Sequence, residues 1–245
     1  MSYCKRIVKA GSVIDVLEYH TARYGAPGQK REKRRKATPE EMAKANRRNK
    51  ERRCWHLILA NFTTGDYFLT LTYREQERPK DMDMAKNEFR RFINRVKKRY
   101  RQKGHDLKWI RNIEVGTRGA WHVHMITNRI KGGLDIIMEE WNYGRIQTQT
   151  MYADGRFAKL AKYITKSPGD EQRLQESNYS TSRNLIRPVP EVKHYARYKT
   201  WRKIRKPKNY YLDPDSIEEG INPWTGYPYR RYVLVKDDYE SRMLC

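Results

Sequence analysis

Trp109–Asn128, WIRNIEVGTRGAWHVHMITN, is the stretch that decides the fold. It reads as two short strands joined by a glycine-bearing turn, Gly116 to Ala120. Side chains alternate across a strand, so His122 and His124 leave one face while Val123 and Met125 leave the other, towards a core. On the preceding run Ile113 and Val115 alternate with Glu114. Paired as a hairpin, the two runs bring Glu114 to the face that carries the histidines. One carboxylate and two imidazoles around a point make a candidate site for a divalent cation. The competing reading is plainer: a His-x-His pair on a strand can also be hydrogen-bonded surface.

Working outward, Tyr67 to Tyr73, YFLTLTY, is the strongest strand pattern in the chain, with Thr70 and Thr72 alternating with Leu71 and Tyr73. After Pro79, Asp81 or Asp83 can cap a long helix reaching to about Gln102. Its apolar stripe is Phe89, Phe92, Ile93, Val96 and Tyr100, and its other face is rich in Arg and Lys. Beyond the hairpin, Leu134 to Trp141 reads as a short helix, Gly144 to Thr150 as a strand, and Arg156 to Ile164 as a helix. That last helix buries Phe157, Leu160, Ala161 and Ile164, with Lys159 and Tyr163 one turn apart outside the buried face, and Lys166 follows.

The flanks differ in kind. Gln29 to Arg53 holds twelve Lys or Arg and almost no large apolar residue. Thr38-Pro39-Glu40-Glu41 is a helix start, with Thr as N-cap, Pro at the first position and Glu at the third, so residues 39 to 53 are expected to form a basic, solvated or DNA-bound helix. In the first 29 residues only Ser12 to Glu18 alternates, weakly. From Gly169 onward the chain is polar and loop-rich, with a basic aromatic run at His194–Arg205 and one short strand-like piece at Tyr232–Val235.

Lys plus Arg number 53 against 29 Asp plus Glu, a net charge of +24 spread over most of the chain. A polyanion is the natural partner, nucleic acid first, and the 18 Tyr and 6 Trp offer stacking platforms for unpaired bases. No apolar run is long enough to span a membrane, and no hydrophobic leader is visible, so a cytosolic protein is expected. Cys4, Cys54 and Cys245 are scattered and read as free thiols.

The order β, α, β, β, α, β, α predicts an α+β fold: a ferredoxin-like antiparallel sheet with helices packed on one face. Three pieces in fixed order resemble the HUH-type rolling-circle replication initiators, the Rep proteins of small single-stranded-DNA phages and bacterial plasmids. FLTLTY is similar to their first motif, WHVHM to their metal-binding second, and Tyr163-Ile-Thr-Lys166 to the third, which carries the nucleophile. Ser182-Arg183-Asn184-Leu185 is similar to a segment that often follows. The resemblance spans about residues 66 to 188.

That resemblance implies an HUH endonuclease domain over 61–190, with a basic extension at 1–60 and a basic, aromatic one at 191–245. It implies that Tyr163 nicks single-stranded origin DNA, forms a 5′-phosphotyrosine and frees a 3′-OH, and later religates, with Lys166 assisting. Glu114, His122 and His124 would hold Mn²⁺ or Mg²⁺, while Arg118, Lys159, Arg183 and Asn184 contact DNA. The implied partners are single-stranded DNA, origin duplex and a DNA polymerase, in the cytoplasm of a bacterial host. The sequence has no GxxxxGK[ST] phosphate loop, so a host or separate helicase is expected. Tyr195 or Tyr198 could act as a second tyrosine. A relaxase, a single-tyrosine transposase and a non-catalytic nucleic-acid-binding protein are the alternatives.

Overall fold

The computed structural model describes residues 3–21, 33, 36–116, 119–151, 161, 164–165, 179–196 and 201–237. The elements in order are β1 (Tyr3–Ala10), β2 (Val13–Tyr19), α1 (Pro39–Asn61), β3 (Tyr67–Thr72), α2 (Met82–Gln102), β4 (Trp109–Val115), β5 (Trp121–Thr127), α3 (Gly133–Glu140), β6 (Ile146–Thr150), β7 (Ser180–Thr181), β8 (Glu191–Tyr195), β9 (Tyr210–Ile221) and β10 (Pro228–Lys236). Two antiparallel five-stranded sheets and three helices make an α+β fold. The chain divides into two compact units, Lys50–Ile186, and Met1–Asn49 together with Arg187–Cys245. Among the described residues no helix is long and apolar enough to cross a membrane.

The central unit carries the sheet β6-β3-β5-β4-β7. One face of it is apolar because every second residue is: Leu69 and Leu71 on β3, Ile113 on β4, Val123 and Met125 on β5. Against that face lie Phe89, Phe92, Ile93, Val96 and Tyr100 of α2, all buried, with Ile136 and Ile137 of α3. Each buried Phe contributes about 2–3 kcal/mol of transfer free energy. α2 begins where Asp81 accepts the Met84 N–H at 2.7 Å, an N-cap bond. Arg95 donates to Glu140 at 2.7 Å and ties the outer edge of α2 to α3.

Asp66 pins three ends of this sheet at once. Its buried carboxylate accepts the Thr63 N–H at 2.8 Å and the Arg129 N–H at 2.7 Å, and its carbonyl accepts from Met151 at 2.8 Å. Asp66→Ala leaves two buried N–H donors without a charged acceptor, an expected loss of about 2–4 kcal/mol. Thermal unfolding should show a midpoint about 5–10 °C lower. A midpoint within about a degree of wild type would mean that water replaces both bonds at no cost.

The outer unit carries the sheet β8-β1-β2-β10-β9. Here the structure departs from the sequence expectation of two separate extensions with little regular structure. N-terminal β1 pairs with C-terminal β8, and β2 with β10, so residues from both flanks share one sheet. Its apolar face joins Ile14, Val16, Tyr232 and Leu234. α1 also differs: the Thr38 start is as expected, with Thr38 Oγ1 accepting from the Glu41 N–H (3.2 Å) and Glu41 accepting from the Thr38 N–H (3.0 Å). The helix, however, runs on to Asn61, because Cys54 and His56–Leu59 bury its last two turns.

Candidate functional site

The β4–β5 hairpin fixes the site through its register. Gly119 takes a left-handed φ of 66°, open to glycine at little cost, and the Gly116 N–H donates to the Ala120 carbonyl at 2.8 Å. The closure pairs Val115 with Trp121, and therefore Glu114 with His122 and Asn112 with His124. On the other side β3 pairs Thr72 with His122 and Thr70 with His124, and β6 adds Gln147 beside Thr70. Two rows thus cross the face opposite α2 and α3: Thr72–His122–Glu114, and Gln147–Thr70–His124–Asn112.

Hydrogen bonds bind the rows diagonally. The Asn112 amide donates to Glu114 Oε1 at 3.3 Å, and Glu114 Oε2 lies 3.5 Å from His124 Nε2. Thr70 Oγ1 lies 3.1 Å from His124 Nδ1, and the Phe68 ring stacks on the His124 imidazole with centroids 6.2 Å apart. His124 and Asn112 are buried, whereas His122 is half-buried and its ring centroid is 6.1 Å from that of His124. Burial, and then the neighbouring His124, push the His122 imidazole below its usual pKa, while Glu114 pulls the other way. At neutral pH His122 is therefore uncharged and has a lone pair to offer.

A carboxylate beside two imidazoles, one of them held neutral, is donor chemistry that fits a divalent cation of the Mn²⁺ or Mg²⁺ class. As they stand, no three His, Cys, Asp or Glu side chains among the described residues are gathered closely enough to hold one. Glu114 faces His124, and His122 stands apart from that contact.

The other expected site residues fall differently. Tyr163, Lys166, Lys159 and Arg118 lie outside the described residues. Beside them, Ala161, Ile164 and Thr165 are described and buried, Ala161 and Ile164 on the side the helical pattern assigned to the core. Arg183 is exposed at the turn after β7. Asn184 donates its amide to the Leu107 carbonyl at 3.1 Å, so that donor closes the fold. Asn112, Thr70 and Gln147 are the site-face residues that sequence reasoning missed. The signal was present in the alternation, since Asn112 is two residues from Glu114 and Thr70 two from Thr72, but their types are unremarkable on strands.

Residues 66–168 match the family model of the ORF2-type replication-associated proteins. No curated protein and no solved structure matches the chain. The matched stretch holds β3, the Glu114–His122–His124 hairpin and Tyr163, and over that stretch the chain is similar to a replication-initiator type of protein.

Proposed function

We propose that this chain is a rolling-circle replication initiator that nicks single-stranded origin DNA through Tyr163. The observation that carries the reading is the hairpin register, which sets Glu114 directly across from His122 and within reach of His124 on one sheet face. The replication-associated family match over residues 66–168 and the net charge of +24 support it.

In this reading the Tyr163 phenol oxygen attacks the scissile phosphorus and the bond to the 3′ oxygen breaks. That oxygen leaves as a free 3′-OH, and the 5′ end stays on the protein as a phosphotyrosine. Religation runs the same exchange in reverse. A phenol with a pKa of about 10 needs help to react as phenolate, and Lys166, with Lys159, supplies positive charge for that purpose. Glu114, His122 and His124 would hold a divalent cation, which when bound polarises nonbridging phosphate oxygens. Asn112 and Thr70 are positioning residues, one orienting Glu114 and the other the His124 ring. Arg183, exposed at its turn, and Arg118 contact the strand backbone.

The test is cleavage of labelled single-stranded oligonucleotides spanning the element's own origin, with Mn²⁺ or with EDTA. Wild type should cut only with the metal. His122→Ala should cut at least about 100-fold more slowly, because a ligand is lost while strand binding remains. Tight binding without any cut, across candidate origins, would replace this reading with a plain nucleic-acid-binding protein.

A further inference from the structure

The outer unit holds a segment that the nicking reading leaves unused, residues 201–208, WRKIRKPK. Two of its side chains dock it on the sheet. Trp201 meets Tyr3 edge-on with centroids 6.2 Å apart and His20 at 5.2 Å, and the Arg230 guanidinium lies 5.8 Å from its ring. Ile204 packs on the cluster of Ile14, Val16, Tyr232 and Leu234.

The backbone is tied as well. The Arg202 carbonyl accepts from Arg230 at 2.6 Å, and Arg230 is held in turn by the buried Glu18 carboxylate at 2.6 and 2.8 Å. Lys5 approaches the same carboxylate at 3.5 Å. Beyond the strap, Tyr210 donates its N–H to the Pro207 carbonyl at 3.2 Å.

While the strap is held down, Lys203, Arg205, Lys206 and Lys208 are exposed and make no ion pair or hydrogen bond among the described residues. Six residues span at most about 20 Å, so these four cations repel one another along a short line. A free tail would spread them; docking by Trp201 and Ile204 prevents it. The arrangement is unfavourable alone and preorganised for a linear polyanion, which then meets it with little ordering entropy to lose.

The chemistry of the row selects among polyanions. It offers only ammonium and guanidinium groups, with no amide or hydroxyl to read a base edge. An unpaired strand is gripped by aromatic faces as well as charge, and the Trp201 ring is engaged by His20, Tyr3 and Arg230. A duplex presents one phosphate charge per about 1.7 Å of axis on a stiff rod, which suits a straight, cation-only row. We infer that Lys203, Arg205, Lys206 and Lys208 form a sequence-independent cradle for the backbone of duplex DNA. The inference stands apart from the nicking chemistry.

The experiment measures binding of the full chain to a random-sequence duplex by fluorescence anisotropy across a salt series. Two variants carry the same charge change. One converts Lys203, Arg205, Lys206 and Lys208 to Gln, and the other converts Arg91, Lys97, Lys98 and Arg101, exposed cations of α2, to Gln. The strap variant should lose at least about tenfold in duplex affinity, and its slope of log K against log salt should flatten by about 3–4. The α2 variant should lose less, and both should melt with wild type. Equal losses in the two variants would mean that affinity follows net charge, and would overturn the cradle. So would a loss as large for a single strand of equal length. His122→Ala combined with His124→Ala should keep full duplex affinity, so a chain that binds but never cuts would sink the nicking reading and leave this one standing.

Discussion

Gly144→Ala is expected to destabilise the central unit by about 3–5 kcal/mol. A Cβ at Gly144 would lie 2.0 Å from the Thr72 carbonyl oxygen, 2.7 Å from its carbon and 3.0 Å from Tyr73 Cα. All three are backbone atoms, so no rotamer change relieves the overlap, and the segments must part. Parting them strains four bonds: Thr72 N–H to the Arg145 carbonyl (2.8 Å), Arg145 N–H to Thr72 Oγ1 (3.2 Å), Arg74 N–H to the Tyr143 carbonyl (2.8 Å) and Trp141 Nε1–H to the Thr72 carbonyl (3.0 Å). Urea unfolding should report the loss as a lower midpoint at an unchanged slope. Because Thr72 is the cross-strand neighbour of His122, any variant that still folds should also cut origin DNA poorly. Stability within about 1 kcal/mol of wild type would show that the two backbones can separate freely, contrary to the packing seen here.

Tyr163→Phe should abolish the covalent protein–DNA adduct and slow cleavage by at least about 10⁴-fold, since removing a nucleophile removes the reaction it starts. Phenylalanine keeps the ring and loses only the hydroxyl, so affinity for the single strand should stay near that of wild type. A denaturing gel separates the outcomes, because the adduct migrates as protein carrying label. Survival of the adduct would move the nucleophile to another tyrosine. Of the two named from sequence, Tyr195 stacks on Tyr3 with centroids 4.8 Å apart, and Tyr198 lies outside the described residues.

The central unit was legible because its signals are local. Strict alternation in YFLTLTY, the 3.6-residue stripe of α2 and the Asp81 cap each declare an element within a few residues. Glycines 116 and 119 likewise declared the turn that sets the hairpin register. The second sheet was not legible, for three physical reasons. Its pairings join residues some two hundred positions apart, such as Val13 with Val235. Its strands interrupt alternation with charge, because Lys5, Glu18 and Arg230 compensate one another across the sheet where apolar residues would be expected. β9 carries Pro214 and a run of acidic residues, and β8 is exposed along most of its length. At the candidate site, Glu114, His122 and His124 announced themselves by type. Asn112 and Thr70 became recognisable only when register put them beside those three.

The unit built from both ends of the chain has a consequence for synthesis. Lys50–Ile186 is contiguous, so it can collapse on the ribosome as soon as it has emerged. The β1–β2 hairpin emerges earlier still but has its neighbours in β8 and β10, and it must wait for them through the whole of the intervening translation. Until Pro228–Lys236 appears, Glu18 lacks Arg230, and the 201–208 strap lacks the guanidinium that holds its backbone. A nascent or prematurely terminated chain can thus carry a finished central unit without a finished outer one.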